Sequence, residues 1–236
     1  MSAKPATARM PLWGHLLCAA ATAAALAASF WQHQRALEKQ QLQEAAEASL
    51  AQQPLSLAEL VSLPPPQLRW RRASLTGRYD ASGQFLLDNR VWQGQPGFHV
   101  LVPLQVREDL WILVNRGFLD STGDRSALRP PPPPSGAITV SGQLAAPARE
   151  ALRLQGPAVD GMIWRSIDLA LWQQRTGRPV LPVVLVVDSD PQLASVAGTP
   201  DFRAATSRGY RLQWLLLAAV VIAGWLRVTR VLRRES

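Results

Sequence analysis

Apolar residues recur on three different periods along this chain, and each period predicts a different element. From Leu12 to Trp31 the run LWGHLLCAAATAAALAASFW is almost unbroken. That is about the length a helix needs to cross ~30 Å of hydrocarbon. A second run, LQWLLLAAVVIAGWL from Leu212 to Leu226, is shorter and is flanked by Arg211 and Arg227. Their long stems let the charged heads reach the interfaces. Trp13, Trp31, Trp214 and Trp225 stand near the ends of the two runs, where indoles favour the headgroup level. Both segments are therefore expected to be transmembrane helices.

Between them the period falls to two. ASLTGRYD and GQFLLDNRVW read as strands joined as a hairpin by Asp80-Ala-Ser-Gly83, with glycine where φ can turn positive. GFHVLVPLQV and DLWILVNRG form a second pair around Arg107-Glu-Asp109. GAITVSGQLAAP, GMIWRSI and RPVLPVVLVVDSD supply further strands. Helical period returns in three places. QRALEKQQLQEAAEASLAQQ (34–53) has no Gly or Pro, so the first helix continues as a polar stalk. Ser56-Leu-Ala-Glu59 is a capping box for a short helix that Pro64-Pro-Pro66 stops. Asp168 caps LALWQQRT, which Gly177 ends. Residues 120–136 form a loop with Pro130 to Pro134 extended. The sum is an α+β membrane protein with two transmembrane helices flanking a mostly antiparallel β extracytoplasmic domain. That domain has six or seven strands, one or two short helices, and the form of a sheet or partly closed barrel.

Charge orients this arrangement. Of 25 Lys and Arg, eight lie at the two ends: Lys4, Arg9, Arg208, Arg211, Arg227, Arg230, Arg233 and Arg234, against Glu235 as the one acid there. The stretch 32–205 is almost neutral, so the high pI of 11.1 describes membrane flanks and no nucleic-acid-binding face. By the positive-inside rule residues 1–11 are a cytoplasmic N-terminus and 228–236 a cytoplasmic basic tail. The spans are 12–31 and 208–227, and 32–207 is a periplasmic β-rich domain with its helical stalk. A cleaved signal peptide shares the basic start and the alanines. The length of the run and the lack of a small-x-small site favour an uncleaved anchor.

Candidate chemistry is sparse. Cys18 is the sole cysteine and lies in the first span, so the domain has neither disulfides nor a thiolate metal site. Histidines at 15, 33 and 99 have no i,i+4 partner, no G-x-S-x-G surrounds a serine, and no phosphate loop follows a strand. No enzyme class is indicated and no metal site is expected. Asp88, Asn89, Arg90 and His99 do cluster. Along a strand Asp88 and Arg90 would share a face, with Asn89 opposite. Asn115-Arg116-Gly117 repeats the Asn-Arg pair at the end of another strand. Such pairs either hold the sheet and its loops or bind an anionic group. The residues themselves stop at a membrane-anchored binding module or a general chaperone of membrane complexes.

A resemblance goes further. Trp31-Gln32-x-x-Arg35-x-x-x-Lys39, then LTGRYD, FLLDNR, GQPGFHVLVPL, LVNRGFL, SGQL, IWRSID, LPVVLVVD and Tyr210-Arg-Leu-Gln-Trp214, follow in order almost end to end. This ordered set resembles the Surfeit locus protein 1 family. The resemblance implies a non-enzymatic assembly factor of the bacterial inner membrane for haem-copper cytochrome c oxidase. Its partners would be the oxidase catalytic subunit, other oxidase assembly factors and the lipid bilayer, with no nucleic acid. Its task would be maturation of that subunit and insertion of haem a. Trp31, Gln32, Arg35, Tyr210 and Trp214 are then candidates for partner or membrane-interface contacts. Asn89, Arg90, His99, Asn115, Arg116 and Gly117 are carried by the same match. Many family members place a histidine, proposed as a haem ligand, three residues before the tyrosine. Here that position is Ser207, a poor iron ligand, so His15 and His33 are the substitute haem candidates.

Overall fold

The computed structural model describes residues 10–121, 128–147, 159–200, 202 and 204–234. Lys4, Arg9 and Glu235, part of the charge argument, and residues 122–127 of the proline-rich loop lie outside the described residues. The chain divides into two compact units, the terminal helices (1–45 with 200–236) and the body between them (46–199).

In the first unit, α1 (Leu12–Leu50) and α5 (Ala204–Arg234) are each long and apolar enough to cross a membrane. The expected stalk is one continuous helix with the span. The helices run antiparallel, as the contacts Trp225–His15 and Arg211–Ser29 require. Within this unit Gly14, Ala25, Ser29 and Ala36 of α1, with Ser207 and Ala218 of α5, are the buried positions among the described residues. Small residues let two backbones approach where lipid supplies no hydrophobic drive between helices. Most of the large apolar side chains point outward.

In the second unit, Ser56 and Glu59 form the expected reciprocal box on α2 (Leu57–Ser62). Pro65 and Pro66 then open a further turn, α3 (Pro65–Leu68), because proline is tolerated where helix N–H groups have no partner anyway. Eight strands follow among the described residues: β1 (Arg72–Tyr79), β2 (Phe85–Trp92), β3 (Gln95–Arg107), β4 (Leu110–Asp120), β5 (Ala137–Ala145), β6 (Val159–Asp160), β7 (Ile163–Trp164) and β8 (Val180–Val187). The helix α4 (Leu169–Thr176) lies before β8, with Asp168 accepting from Leu171 N–H and Gly177 in the left-handed region, as expected from its ends.

Sheet order is β1-β5-β8-β4-β3-β2-β7-β6, and β1 also pairs with β3. The ring β1-β5-β8-β4-β3 therefore closes into a five-stranded barrel, and β2, β7 and β6 extend from β3. Among the described strand pairs, β4–β8 and β2–β7 are parallel and the others antiparallel. One expectation fails: β1 and β2 are not a hairpin. Residues 81–83 form a 3-10 turn capped by Asp80 that redirects the chain. β1 then pairs with β5 along its length and reaches β3 only through Arg78 and Tyr79. A turn read locally does not reveal that a better partner arrives some sixty residues later. The strand expected in GMIWRSI shortens to Ile163–Trp164, and β6 had no readable period.

Alternation sorts the core. Ile112, Val114, Val183, Leu185 and Val187 face inward with Leu75, Leu104, Val140 and Leu144, under a lid of Leu55, Leu60 and Leu68. Leu113 and Val184 face outward and are covered by Trp164, Ile167 and Trp172. Closure at β1–β3 depends on Gly77, where a Cβ would lie 2.2 Å from the Gln105 carbonyl oxygen. Backbone at that distance cannot yield as a flexible side chain would. Gly77→Ala is expected to cost about 1–3 kcal/mol, the scale of overpacking, measured by chemical denaturation of the full chain in detergent.

Candidate functional site

Polar side chains gather in each unit separately. In the helix pair, Lys39 Nζ donates to Ser207 Oγ at 3.0 Å, Arg208 donates to Gln40 Oε1 at 3.2 Å, and Arg211 Nη1 lies 3.3 Å from His33 Nδ1. Arginine only donates, so His33 Nδ1 is an acceptor there. Arg35 pairs with Glu38 at 3.1 Å and lies 5.9 Å from the Trp31 ring centroid. Trp31 and Tyr210 are exposed, while Gln32 and Trp214 are half-buried. Deeper in the pair, Trp225 Nε1 donates to His15 Nδ1 at 2.8 Å, ring against ring. The two matched motifs thus meet across the helices at Lys39–Ser207, a contact no local pattern announces.

A haem ligand is the natural question for this cluster. Ser207 is buried and its hydroxyl accepts from Lys39, so position 207 presents a short neutral group held by an ammonium. That donor set does not fit iron ligation. His15 and His33 are 18 residues apart on one helix, about 27 Å at 1.5 Å per residue, and cannot ligate the same iron together.

In the body, both Asn-Arg pairs lie inside strands rather than at their ends, and each marks a β-bulge. Leu87 pairs with His99 and Arg90 with Gly97, which leaves an extra residue on β2. Asn89 there takes φ +57°, a region asparagine tolerates better than most residues. Asp88 Oδ1 accepts from Asn89 N–H at 2.7 Å, and Arg90 Nε donates to the Asp88 carbonyl at 3.2 Å. Strict alternation therefore fails: Arg90 shares one cavity wall with Leu87 and another with Asp88 and Asn89. On β4, Val100 pairs with Gly117 and Leu101 with Asn115, so Arg116 is the extra residue. Bulges re-aim side chains in this way.

The two residues re-aimed on β4 do different things. Arg116 is fully buried, and all five of its N–H donors are used. Nε and Nη2 grip Asp190 at 2.9 and 3.3 Å, Nη1 donates to the Pro131 carbonyl at 2.7 Å and to Gln84 at 3.3 Å, and Nη2 also reaches Gln192 at 3.1 Å. This arginine holds loops and is not available to a ligand. Burial pushes the neighbouring Tyr79 hydroxyl up to about 12. Gly117 has φ +144°, and a Cβ there would lie 2.5 Å from the Ala194 carbonyl oxygen.

Asn115 fixes the state of His99. Its Oδ1 accepts from Gly117 N–H at 3.1 Å, so its Nδ2 is the group 3.1 Å from His99 Nδ1. An amide NH₂ only donates. His99 Nδ1 must accept, and the ring proton sits on Nε2. Burial, aided by the charge of Arg90, depresses the His99 pKa to about 4, so the ring is neutral at neutral pH. Among the described residues no three His, Cys, Asp or Glu side chains gather as a metal site.

Fold and site together define a membrane-anchored β-barrel domain with buried polar locks and a helix pair that is polar at one end. The chain belongs to the SURF1 family, whose model matches residues 18–219, from within α1 into α5. That family, the Surfeit locus protein 1 family, comprises cytochrome oxidase assembly factors rather than enzymes. No curated protein matches the chain.

Two outcomes are expected. Arg116→Met leaves Asp190 buried and unpaired and should cost about 3–5 kcal/mol in denaturant titrations. For His99 the folded pKa lies below the unfolded 6.5, so the unfolded chain takes up its proton first as pH falls. Its contribution is intact above about pH 6.5 and lost towards pH 4. Relative to His99→Gln, wild type should lose at most about 3 kcal/mol across that window.

Proposed function

We propose that this protein is an inner-membrane assembly factor for haem-copper cytochrome c oxidase in a bacterium. Both termini are cytoplasmic, the barrel domain is periplasmic, and the two helices anchor it where the catalytic subunit matures. The observation that carries the reading is the family match across nearly the whole chain. The charged flanks of the two spans support the orientation. The partners are the oxidase catalytic subunit and other assembly factors. Trp31, Gln32, Arg35, Tyr210 and Trp214 serve as contacts at the membrane interface.

The protein assists insertion of haem a as the cargo of the process. Position 207 does not fit the ligand role that a histidine would have there, which leaves His33 and His15 as the imidazoles of the helix pair. The residue change at 207 also favours a second reading, an anchored chaperone that steadies the subunit without touching haem.

Deleting the gene should lower oxidase activity and membrane haem a content together. Normal oxidase in a strain lacking any redundant homologue would refute the assembly role. To separate the two readings, the protein is purified from cells that make haem a and its visible spectrum recorded. Ser207→Ala should leave that spectrum unchanged. Loss of the haem signal in His33→Ala or His15→Ala identifies the ligand, and retention in both excludes imidazole ligation by the helix pair.

A further inference from the structure

We propose that the barrel domain binds a monocarboxylate with a small apolar body, in a cavity on its outer sheet face headed by Arg90 and His99. This site stands apart from the assembly role and involves no residue of the helix pair.

The cavity has a volume of about 180 Å³. A cavity of about 150 Å³ is enough to take a benzene ring, so the space suits a body of that size. Its walls are Leu87, Ile167, Val184, Val186 and Val196, which continue the apolar layer under Trp164 and Trp172. The small side chains of Ala145 and Ala146 leave room on the β5 side. Among the described residues, the polar groups that enter are Arg90, His99 and Asn115.

Each of the three is set by contacts already described. Asn115 spends both ends of its amide, on Gly117 N–H and on His99. His99 is thereby oriented with its remaining N–H, on Nε2, as a donor without a partner among the described residues. Among the described residues, Arg90 is the one charged side chain lining the space. Its Nε is tied to the Asp88 carbonyl, and its terminal nitrogens hydrogen-bond to none of the described residues. Half-burial of this guanidinium disfavours its charged form, a cost that the Asp88 carboxylate offsets only in part and that a bound anion would offset further. Asp88 itself does not line the cavity.

The donor set selects the ligand. One guanidinium and one neutral N–H match the two oxygens of a single carboxylate. A phosphate dianion would find one positive charge for two negative, and an ammonium would face Arg90. The apolar walls offer nothing to a sugar or a polyol, because its hydroxyls would lose water without replacement. Two bulges accompany this arrangement: one places Arg90 in the cavity wall with Leu87, and the other, at Arg116, lies beside Asn115, whose side chain reaches His99.

The test uses the full chain in a non-ionic maltoside detergent at neutral pH, titrated calorimetrically with hexanoate and with benzoate. Hexanol and hexylammonium serve as isosteric controls. Saturable binding of one carboxylate per chain is expected, with a Kd on the order of 0.1–1 mM for ligands of this size. Arg90→Gln should weaken it roughly tenfold or more, and His99→Gln several-fold. Val196→Trp, placed in a segment without regular structure, should fill the apolar end and abolish binding while circular dichroism and melting stay as in wild type. Absence of saturable binding by either carboxylate would overturn the proposal. So would equal binding of hexanol, or unaltered titration of the Arg90→Gln or Val196→Trp proteins.

Discussion

The body of this protein is organised around one buried guanidinium. Arg116 has no exposed surface, and Asp190 beside it is almost as deeply placed. Removing two charges from water costs several kcal/mol per ion, and the pair's mutual attraction repays that only when every remaining donor is satisfied. Here the condition is met by groups from three separate places: the turn before β2, the proline-rich segment and the stretch after β8. The proline run cannot donate to a sheet, yet its carbonyls remain acceptors, and Pro131 uses one of them to reach the arginine. The lock adds little net stability compared with an apolar core of the same volume. Its contribution is to make one arrangement of three loops much better than any other.

That lock has a local precondition in the bulge of β4. An unbroken ladder would send Asn115 and Arg116 to opposite faces without freeing the extra backbone needed for Gly117 to approach Ala194. The bulge, the positive φ of Gly117 and the N–H donated by Gly117 to Asn115 form one unit. Through Asn115 the same unit fixes the tautomer of His99. A structural device and a donor poised over a cavity therefore share a three-residue sequence, Asn115-Arg116-Gly117. The polar side chains clustered around the two Asn-Arg pairs are mostly spent on local contacts, which is the expected chemistry for a scaffold and suits a family of assembly factors.

The helix pair follows a different rule. Its seam is built from small residues, and its polar contacts gather where α1 and α5 carry the two motifs that match the family. Lys39 on Ser207 is the telling contact, since it closes the buried position 207 with a hydroxyl and an ammonium. The polar end of this pair is therefore a hydrogen-bonded cationic cluster, with Arg208 and Arg211 engaging Gln40 and His33.

Much of this was legible from residue order alone. The two spans, the stalk continuous with the first, the capping box at Ser56, the capped helix after Asp168 and the β3–β4 hairpin depend on periodicity and caps within about a dozen residues, which is information the chain carries locally. Partner choice was not legible. β1 lies next to β2 in sequence but pairs with β5, and barrel closure rests on Gly77 meeting Gln105, because strand pairing is settled by which apolar faces can be buried together. The bulges were equally hidden: Asn89-Arg90 and Asn115-Arg116 look alike as dipeptides. Tertiary structure sends Arg116 into a dry five-bond lock and leaves Arg90 at the edge of a cavity. The physical reason is burial: only folding decides which guanidinium loses its water, and that loss determines what each one must hold.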